Sequence, residues 1–169
     1  GKYMAYVGSY SYTGKAKGIT VYDVDVEKGI FKERCEVEVD NSSYVIASSD
    51  GKTLYSIADE GVVSFRILEN GSLARLNSAS IRGMRGCHLC TDIEDKYVFV
   101  SGYHDGKATV LSLNKDGSVG EMVDGVFDKG YGRVAGRNLR PPVTFPRRQP
   151  AGQSVRSVST GCDQADNNR

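Results

Sequence analysis

The fold is decided by three stretches built to one plan: TVYDVDVEKGIF at residues 20–31, VSFRILENGSL at 63–73 and TVLSLNKDGSV at 109–119. Each joins a run rich in β-branched and other apolar residues to a polar turn that contains glycine, which is typical of β-strands linked by tight turns. The turn glycines, Gly29, Gly71 and Gly117, are 42 and 46 residues apart. One four-stranded blade of a β-propeller repeats at about 40–50 residues, so this spacing predicts a propeller.

A second shared element precedes each turn by about twenty residues: YMAYVGSY at 3–10, SDGKTLYSIADEG at 49–61 and IEDKYVFVSGYHDG at 93–106. The DGK and EDK triplets predict tight connections from an innermost strand to the next strand. Together the two elements predict an all-β fold, a partial β-propeller of about three four-stranded antiparallel blades over residues 1–140. A plain antiparallel sandwich is the alternative, but the strands of a sandwich need not repeat at one period.

Composition limits the classes of protein that remain. The chain has 169 residues, 39% of them hydrophobic and 25% charged, which is enough for one domain with a core. The formal net charge of +1 indicates no nucleic-acid or membrane partner. No apolar run reaches the roughly 18 residues of a membrane span, and the first residues lack the order of a signal peptide. Four cysteines in a chain of this size suit reduced thiols, so we expect a cytoplasmic protein.

The C-terminal part differs in composition from the rest. Residues 128–169 carry 8 basic and 3 acidic side chains, and after Phe145 there is no aromatic residue. The few apolar residues there follow neither strand nor helix periodicity, and such a stretch buries too little surface to offset its ordering entropy. The sequence therefore predicts an irregular, disordered tail over residues 141–169.

Five segments carry a family resemblance: YVGSYSYTGKAKGITVYDVDVEKGIF, SYVIASSDGKTLYSIADEG, VSFRILENGSL, GCHLCTDIEDKYVFVSGY and VLSLNKDGSVGE. In this order and spacing they resemble the N-terminal half of the lactonase-type seven-bladed β-propellers, the 6-phosphogluconolactonases. The resemblance covers about residues 3–140. It implies hydrolysis of a sugar-acid lactone in the cytoplasm, with a small-molecule lactone as partner and with neither a metal nor an organic cofactor.

The resemblance ends near residue 140. Family members are about twice as long and close a ring, whereas this chain provides about three blades, so self-association through unpaired blade faces is expected. Pro142 stands where the resemblance places a histidine, and PAGQSVRSV at 150–158 stands where a strand and an Asp-Gly-Lys turn are expected.

We therefore expect the reading frame to break between residues 142 and 150, because the motif, the aromatic residues and the apolar period are lost together. Sequencing the encoding DNA tests this hypothesis. A family-like strand and turn pattern in a shifted frame would support it, and its absence from every frame would refute it.

Lactone hydrolysis needs a base that activates water, donors that stabilise the tetrahedral oxyanion and, for an anionic substrate, a clamp for its charge. His88, at the start of an innermost strand, is the candidate base because imidazole titrates near neutral pH. Alternation places His88 and Cys90 on one face of that strand. A packed structural histidine is the alternative. Zinc is not expected, because no second pair of ligands follows Cys87, His88 and Cys90.

The remaining candidates lie in loops. The resemblance places an acidic residue near the channel at Glu60, to orient the base or bind sugar hydroxyls, although a solvated turn acid is equally consistent. Tyr103 occupies the equivalent loop of the next blade, where its phenol could bind a sugar hydroxyl or pack between blades. Arg137 and Arg140 follow the third blade, and a guanidinium fork suits phosphate or carboxylate.

Three functions are consistent with the sequence. The first is a lactone hydrolase of the 6-phosphogluconolactonase type, for which this chain is the N-terminal portion. The second is a propeller that binds without catalysis, since a fold does not determine function. The third is a truncated product without activity.

Overall fold

Twelve β-strands and no helix form the part of the chain that the computed structural model describes, residues 3–127 and 157–159. Nothing in these two ranges is a helix long and apolar enough to traverse a bilayer. The strands are β1 (Tyr3–Gly8), β2 (Gly18–Asp25), β3 (Ile30–Glu38), β4 (Val45–Ala47), β5 (Thr53–Ala58), β6 (Gly61–Ile67), β7 (Leu73–Ser80), β8 (His88–Thr91), β9 (Tyr97–Gly102), β10 (Lys107–Leu113), β11 (Val119–Phe127) and β12 (Ser157–Ser159).

The strands form three four-stranded sheets, which we call blades 1, 2 and 3. Their orders are β12-β1-β2-β3, β4-β5-β6-β7 and β8-β9-β10-β11, counted from the innermost strand outward. Strands that follow one another along the chain pair antiparallel within each blade. The innermost strand β4 contacts both β12 and β8. The prediction of an all-β chain with three four-stranded blades is confirmed, and the pairing is antiparallel everywhere except between β12 and β1.

Strand β12 completes blade 1 differently from the other two blades. It pairs parallel with β1, joining Tyr6 to Ser157 and Gly8 to Ser159 in register, whereas β4 and β8 pair antiparallel with their neighbours. Residues 157–159 are thus extended within the stretch predicted to be irregular, because they pair with the inner edge of β1. The rest of residues 141–169 lies outside the described residues.

The apolar core lies between neighbouring blades. One cluster joins blades 1 and 2 and includes Tyr6, Ile19, Val21, Leu54 and Phe65, all almost fully buried. A second cluster joins blades 2 and 3; its members include Tyr55, Ile57, Val62, Leu89, Val98, Val100 and Leu111. Removing such surfaces from water stabilises the fold by about 25 cal/mol per Å² of apolar area. Each blade therefore depends on its neighbour for a buried face.

In blades 2 and 3, the turn before the outer strand packs against the preceding blade. The hydroxyl of Tyr6 in blade 1 donates a hydrogen bond of 2.8 Å to the carbonyl oxygen of Gly71 in blade 2. Burial raises the pKa of Tyr6 to about 12, so its hydroxyl keeps its proton at neutral pH and remains a donor. Between blades 2 and 3, the side-chain amide of Asn77 donates to the carbonyl of Val119 and its oxygen accepts from the amide of Val119.

One irregularity recurs in all three blades. The pairing between the third and fourth strands shifts register between Val21 and Tyr22 in blade 1, between Ser64 and Phe65 in blade 2, and between Val110 and Leu111 in blade 3. A one-residue shift of this kind is a β-bulge, which bends the strand and increases its twist. The repeat seen in the sequence is therefore a repeat of backbone geometry as well.

Gly29→Ala and Gly117→Ala form a matched pair that tests the packing of a turn on the preceding blade. Both glycines have positive φ, 66° and 87°, so alanine costs about 1–2 kcal/mol at either position. A Cβ on Gly117 would also lie 2.2 Å from Oγ1 of buried Thr53, whereas a Cβ on Gly29 meets nothing within 4 Å. Overpacking adds about 1–3 kcal/mol at Gly117 alone. Urea denaturation should show this difference, and equal losses would contradict the packing.

Candidate active site

Five chain connections meet at one end of the three blades, which we call the loop end. They span residues 9–17, 39–44, 59–60, 81–87 and 103–106. The strand registers place them together, because Gly8 pairs with Ile19, Val45 with Ser56 and His88 with Ser101. Hydrogen bonds between these connections join the three blades, so side chains that are far apart in the sequence lie close together here.

His88 is the first residue of β8 and lies half-buried at the loop end. Its ring lies 4.8 Å from the ring of Tyr44, between centroids, at an interplanar angle of 48°. Leu89 is buried in the core between blades 2 and 3, so His88 and Cys90 lie on the opposite face of β8, as the alternation predicts. Cys87, just before the strand, donates through Sγ to the carbonyl of Ser101 at 3.3 Å.

Glu60 occupies the two-residue connection between β5 and β6, and it is exposed. It lines a shallow pocket together with Asp40 and with Arg75, Ser78 and Ser80 of the outer strand β7. His88 is not among the residues that line this pocket. Its neighbour Asp59, also exposed, makes polar contacts that link the blades at the loop end.

Tyr103 lies in the connection between β9 and β10, with 41% of its surface exposed. Its ring packs on the ring of His104 at 4.2 Å between centroids. Asp105 in the same connection accepts from the amide of Met84 at 2.9 Å, and Lys107 Nζ donates to the carbonyl of Arg82. The structure thus brings Tyr103, Glu60 and His88 to the same end of the blades. Arg137 and Arg140 lie outside the described residues.

Asn41 connects the first two blades at the loop end. Its Oδ1 accepts the backbone amides of Ser11 and Tyr12, at 2.9 and 3.1 Å, and its Nδ2 donates to both carboxylate oxygens of Asp59, at 3.0 and 2.9 Å. The residue is 9% exposed and has a φ of 52°, in the left-handed region that asparagine tolerates better than most residues. All the hydrogen-bonding capacity of this amide is therefore used to position other groups.

Arg85 extends the network to the connection that leads into blade 3. Its Nη1 donates to Oδ1 of Asp59 at 2.9 Å, and its guanidinium carbon lies 4.7 Å from the centroid of the Tyr10 ring. Arg85 stacks readily on aromatic rings because its guanidinium is planar and weakly hydrated. Asp59 and Arg85 thus form an ion pair whose two members are held by Asn41 and Tyr10.

The network of Tyr10, Asn41, Asp59 and Arg85 was not predicted from the sequence. Two local features of the sequence are related to it: the adjacent acids Asp59 and Glu60, and an asparagine in a loop that follows a strand. The sequence does not indicate which of the two acids links the blades. The network forms because Asn41 and Asp59, 18 positions apart, and Asp59 and Arg85, 26 positions apart, come into contact in the fold. The periodicity of a sequence does not predict contacts of this kind.

The loop end combines an imidazole, carboxylates, a guanidinium and phenols, which are the groups that ester hydrolysis and sugar binding use. Within residues 3–127, no three side chains of His, Cys, Asp or Glu gather in a way that could hold a metal ion.

Comparison with known proteins identifies the family. The sequence matches the family described as "Lactonase, 7-bladed beta-propeller" over residues 4–166, almost the whole chain. The chain belongs to this lactonase family. The predicted resemblance is therefore confirmed, and the match continues to residue 166, beyond its predicted end near residue 140.

Individual relatives of this chain of the lactonase family are about twice as long. It is 31% identical to the 6-phosphogluconolactonase of Bacillus subtilis (strain 168) over 168 residues, which cover 96% of this chain and 48% of the relative. It is 27% identical to the 6-phosphogluconolactonase of Formosa agariphila over 139 residues, which cover 78% of this chain and 39% of that one. The crystal structure of a putative 6-phosphogluconolactonase from Bacteroides fragilis superimposes with a TM-score of 0.73 at 29% identity, covering 83% of this chain and 40% of that structure. The chain thus spans about half the length of the curated relatives it matches.

Asn41→Ala and Asn41→Gly separate the two roles of Asn41 in this lactonase chain. Alanine removes the hydrogen bonds and strains the backbone, whereas glycine removes the hydrogen bonds only. We expect Asn41→Ala to lower the free energy of unfolding by about 1–2 kcal/mol more than Asn41→Gly. In both variants, hydrogen exchange measured by NMR should accelerate at the amides of Ser11 and Tyr12. Unchanged protection of these amides would show that Asn41 does not hold the loop.

Proposed function

We propose that this chain is the N-terminal portion of a lactone hydrolase of the 6-phosphogluconolactonase type. The observation that carries the proposal is the match along nearly the whole chain to a 6-phosphogluconolactonase at 31% identity. The groups at the loop end support it, because an imidazole, carboxylates and a guanidinium lie at the same end of the blades.

In the proposed reaction His88 acts as general base. It removes a proton from a water molecule while the water oxygen forms a bond to the carbonyl carbon of the lactone. The tetrahedral intermediate then collapses, the bond between the carbonyl carbon and the ring oxygen breaks, and that oxygen receives a proton from the imidazolium of His88. The product is the open-chain hydroxy acid. The aromatic face of Tyr44 restricts the orientation of the imidazole, since the two rings lie in contact.

The other predicted residues contribute to binding in this proposal. Glu60 orients the base or accepts from sugar hydroxyls, and Tyr103 donates to a hydroxyl. Arg137 and Arg140 bind the phosphate or carboxylate of the substrate. A cytoplasmic location belongs to the same proposal, and it is supported by the sequence, whose four cysteines follow no disulfide-rich pattern.

A lactonase assay on the chain and on a full-length relative tests the function, with the two histidines of the chain as a matched pair of variants. His88→Ala, introduced in the chain and at the aligned position of the relative, should lower kcat about 10²–10⁴-fold, the usual contribution of a general base. Because His104 lies in an exposed turn, His104→Ala should leave kcat within about twofold. The His88 variant should remain folded, because its imidazole is half-buried at a strand end, and a cooperative thermal unfolding transition would verify this.

The outcomes separate the competing functions. Hydrolysis by both proteins, with loss in the His88 variants, supports the proposal. Hydrolysis by the longer protein alone indicates a truncated chain without activity. No hydrolysis by either protein indicates a binding propeller. Unchanged kinetics in the His88 variants would remove His88 from the mechanism.

A further inference from the structure

Tyr12 is an exposed aromatic side chain on a loop that does not move freely. It is 76% exposed, and its backbone amide donates to the buried oxygen of Asn41. Its ring meets the ring of Tyr10 edge to face, at 5.9 Å between centroids and 67° between planes. The side chain of Ser11, between the two tyrosines, donates to the carbonyl of Val39 and accepts from the amide of Asn41. The loop therefore presents one apolar ring face to solvent in a fixed position.

Asp59 and Arg85 stand beside this aromatic pair with hydrogen-bonding capacity left over. A carboxylate accepts about four hydrogen bonds, and Asp59 receives three from described residues. A guanidinium has five N–H donors, and Arg85 uses one of them towards described residues. Both side chains are partly exposed, at 48% and 26%. An acceptor and several donors thus lie next to each other at the protein surface.

This combination matches a sugar. Each hydroxyl group both donates and accepts a hydrogen bond, so one hydroxyl can donate to the carboxylate while its neighbour accepts from the adjacent guanidinium. The C–H faces of a polyol pack on an aromatic ring, because tyrosine offers an apolar surface as well as a polar hydroxyl. We infer that Tyr12, Asp59 and Arg85 form a subsite that binds the polyhydroxylated part of a sugar acid, with Tyr10 and Asn41 as positioning residues.

The inference rests on the proposed function only in taking a sugar acid as the ligand. A purely structural role would explain the ion pair and Asn41, but it does not require an exposed ring on a loop fixed beside them. A site for anions fits less well, because Asp59 neutralises Arg85 and the exposed acids Asp40 and Glu60 lie in the same part of the surface. The recognised groups are therefore hydroxyls rather than the charge of the substrate.

Binding of D-gluconate and D-glucitol to the full chain tests the subsite. The two compounds carry similar hydroxyls, but only gluconate has a carboxylate. Saturation-transfer difference NMR should give dissociation constants of about 1–100 mM for both, as expected for ligands of this size, and within about threefold of each other. Inorganic phosphate at 20 mM should not compete. No saturable binding of either compound, or binding of gluconate alone with competition by phosphate, would overturn the inference.

Three variants and one control locate the binding. Tyr12→Ala, Asp59→Asn and Arg85→Gln should each weaken gluconate binding at least fivefold. Tyr97→Ala removes a tyrosine that is 39% exposed at the opposite end of the blades, where β9 begins, so it should bind like the unchanged chain. Because Tyr12 is so exposed, its variant should fold normally, which NMR spectra of the same samples would verify. Affinities unchanged in all three variants would refute the subsite.

The lactonase assay distinguishes this inference from the proposed function. If the chain binds gluconate through the subsite but neither it nor a full-length relative hydrolyses lactones, the inference stands and the function fails. If hydrolysis occurs and the same substitutions leave KM unchanged, the function stands and the inference fails.

Discussion

Apolar contact between neighbouring blades is the constraint on which the rest of this structure depends. A single four-stranded sheet has two faces, and here the buried face of each blade is covered by the next blade rather than by a second layer of its own. Blade 2 has both faces in the core, and this explains why its strands β5 and β6 are the most completely buried. The same packing aligns the ends of the blades, so that five connections meet at the loop end.

The loop end illustrates how a stacked architecture produces a site. The strands bring the connections near one another, but Asn41 determines how they fit, because one amide binds two backbone amides of blade 1 and the carboxylate of Asp59 in blade 2. Arg85 continues the network towards blade 3. Such an arrangement holds polar groups in place before any ligand arrives, which is the condition for tight and selective binding. His88 and Tyr44 lie at the same end, on the inner side.

The sequence was sufficient for the fold because the repeat is local. The alternating strands and the glycines at 29, 71 and 117 predict three blades, and the structure has all three glycines at positive φ. The site was only partly predictable. His88 and Tyr103 could be assigned to one end from their place in the repeat, whereas the choice of Asp59 over Glu60 as the linking acid depends on Asn41 and Arg85. Those contacts arise from the packing of one blade on another, and this packing cannot be predicted from a single sequence.

The bulge shared by the three blades affects more than the internal register. Within residues 3–127 and 157–159, the outermost strands β3, β7 and β11 each pair with one neighbour, and β3 and β11 are nine residues long. A long exposed strand edge can pair with a strand of another chain, and such pairing can begin aggregation. A bend at each bulge makes these edges less regular templates for a further strand, and in β3 the charges of Lys32, Glu33 and Arg34 add to this effect. The outer edge of blade 1 is therefore poorly suited to pairing with a strand of another chain.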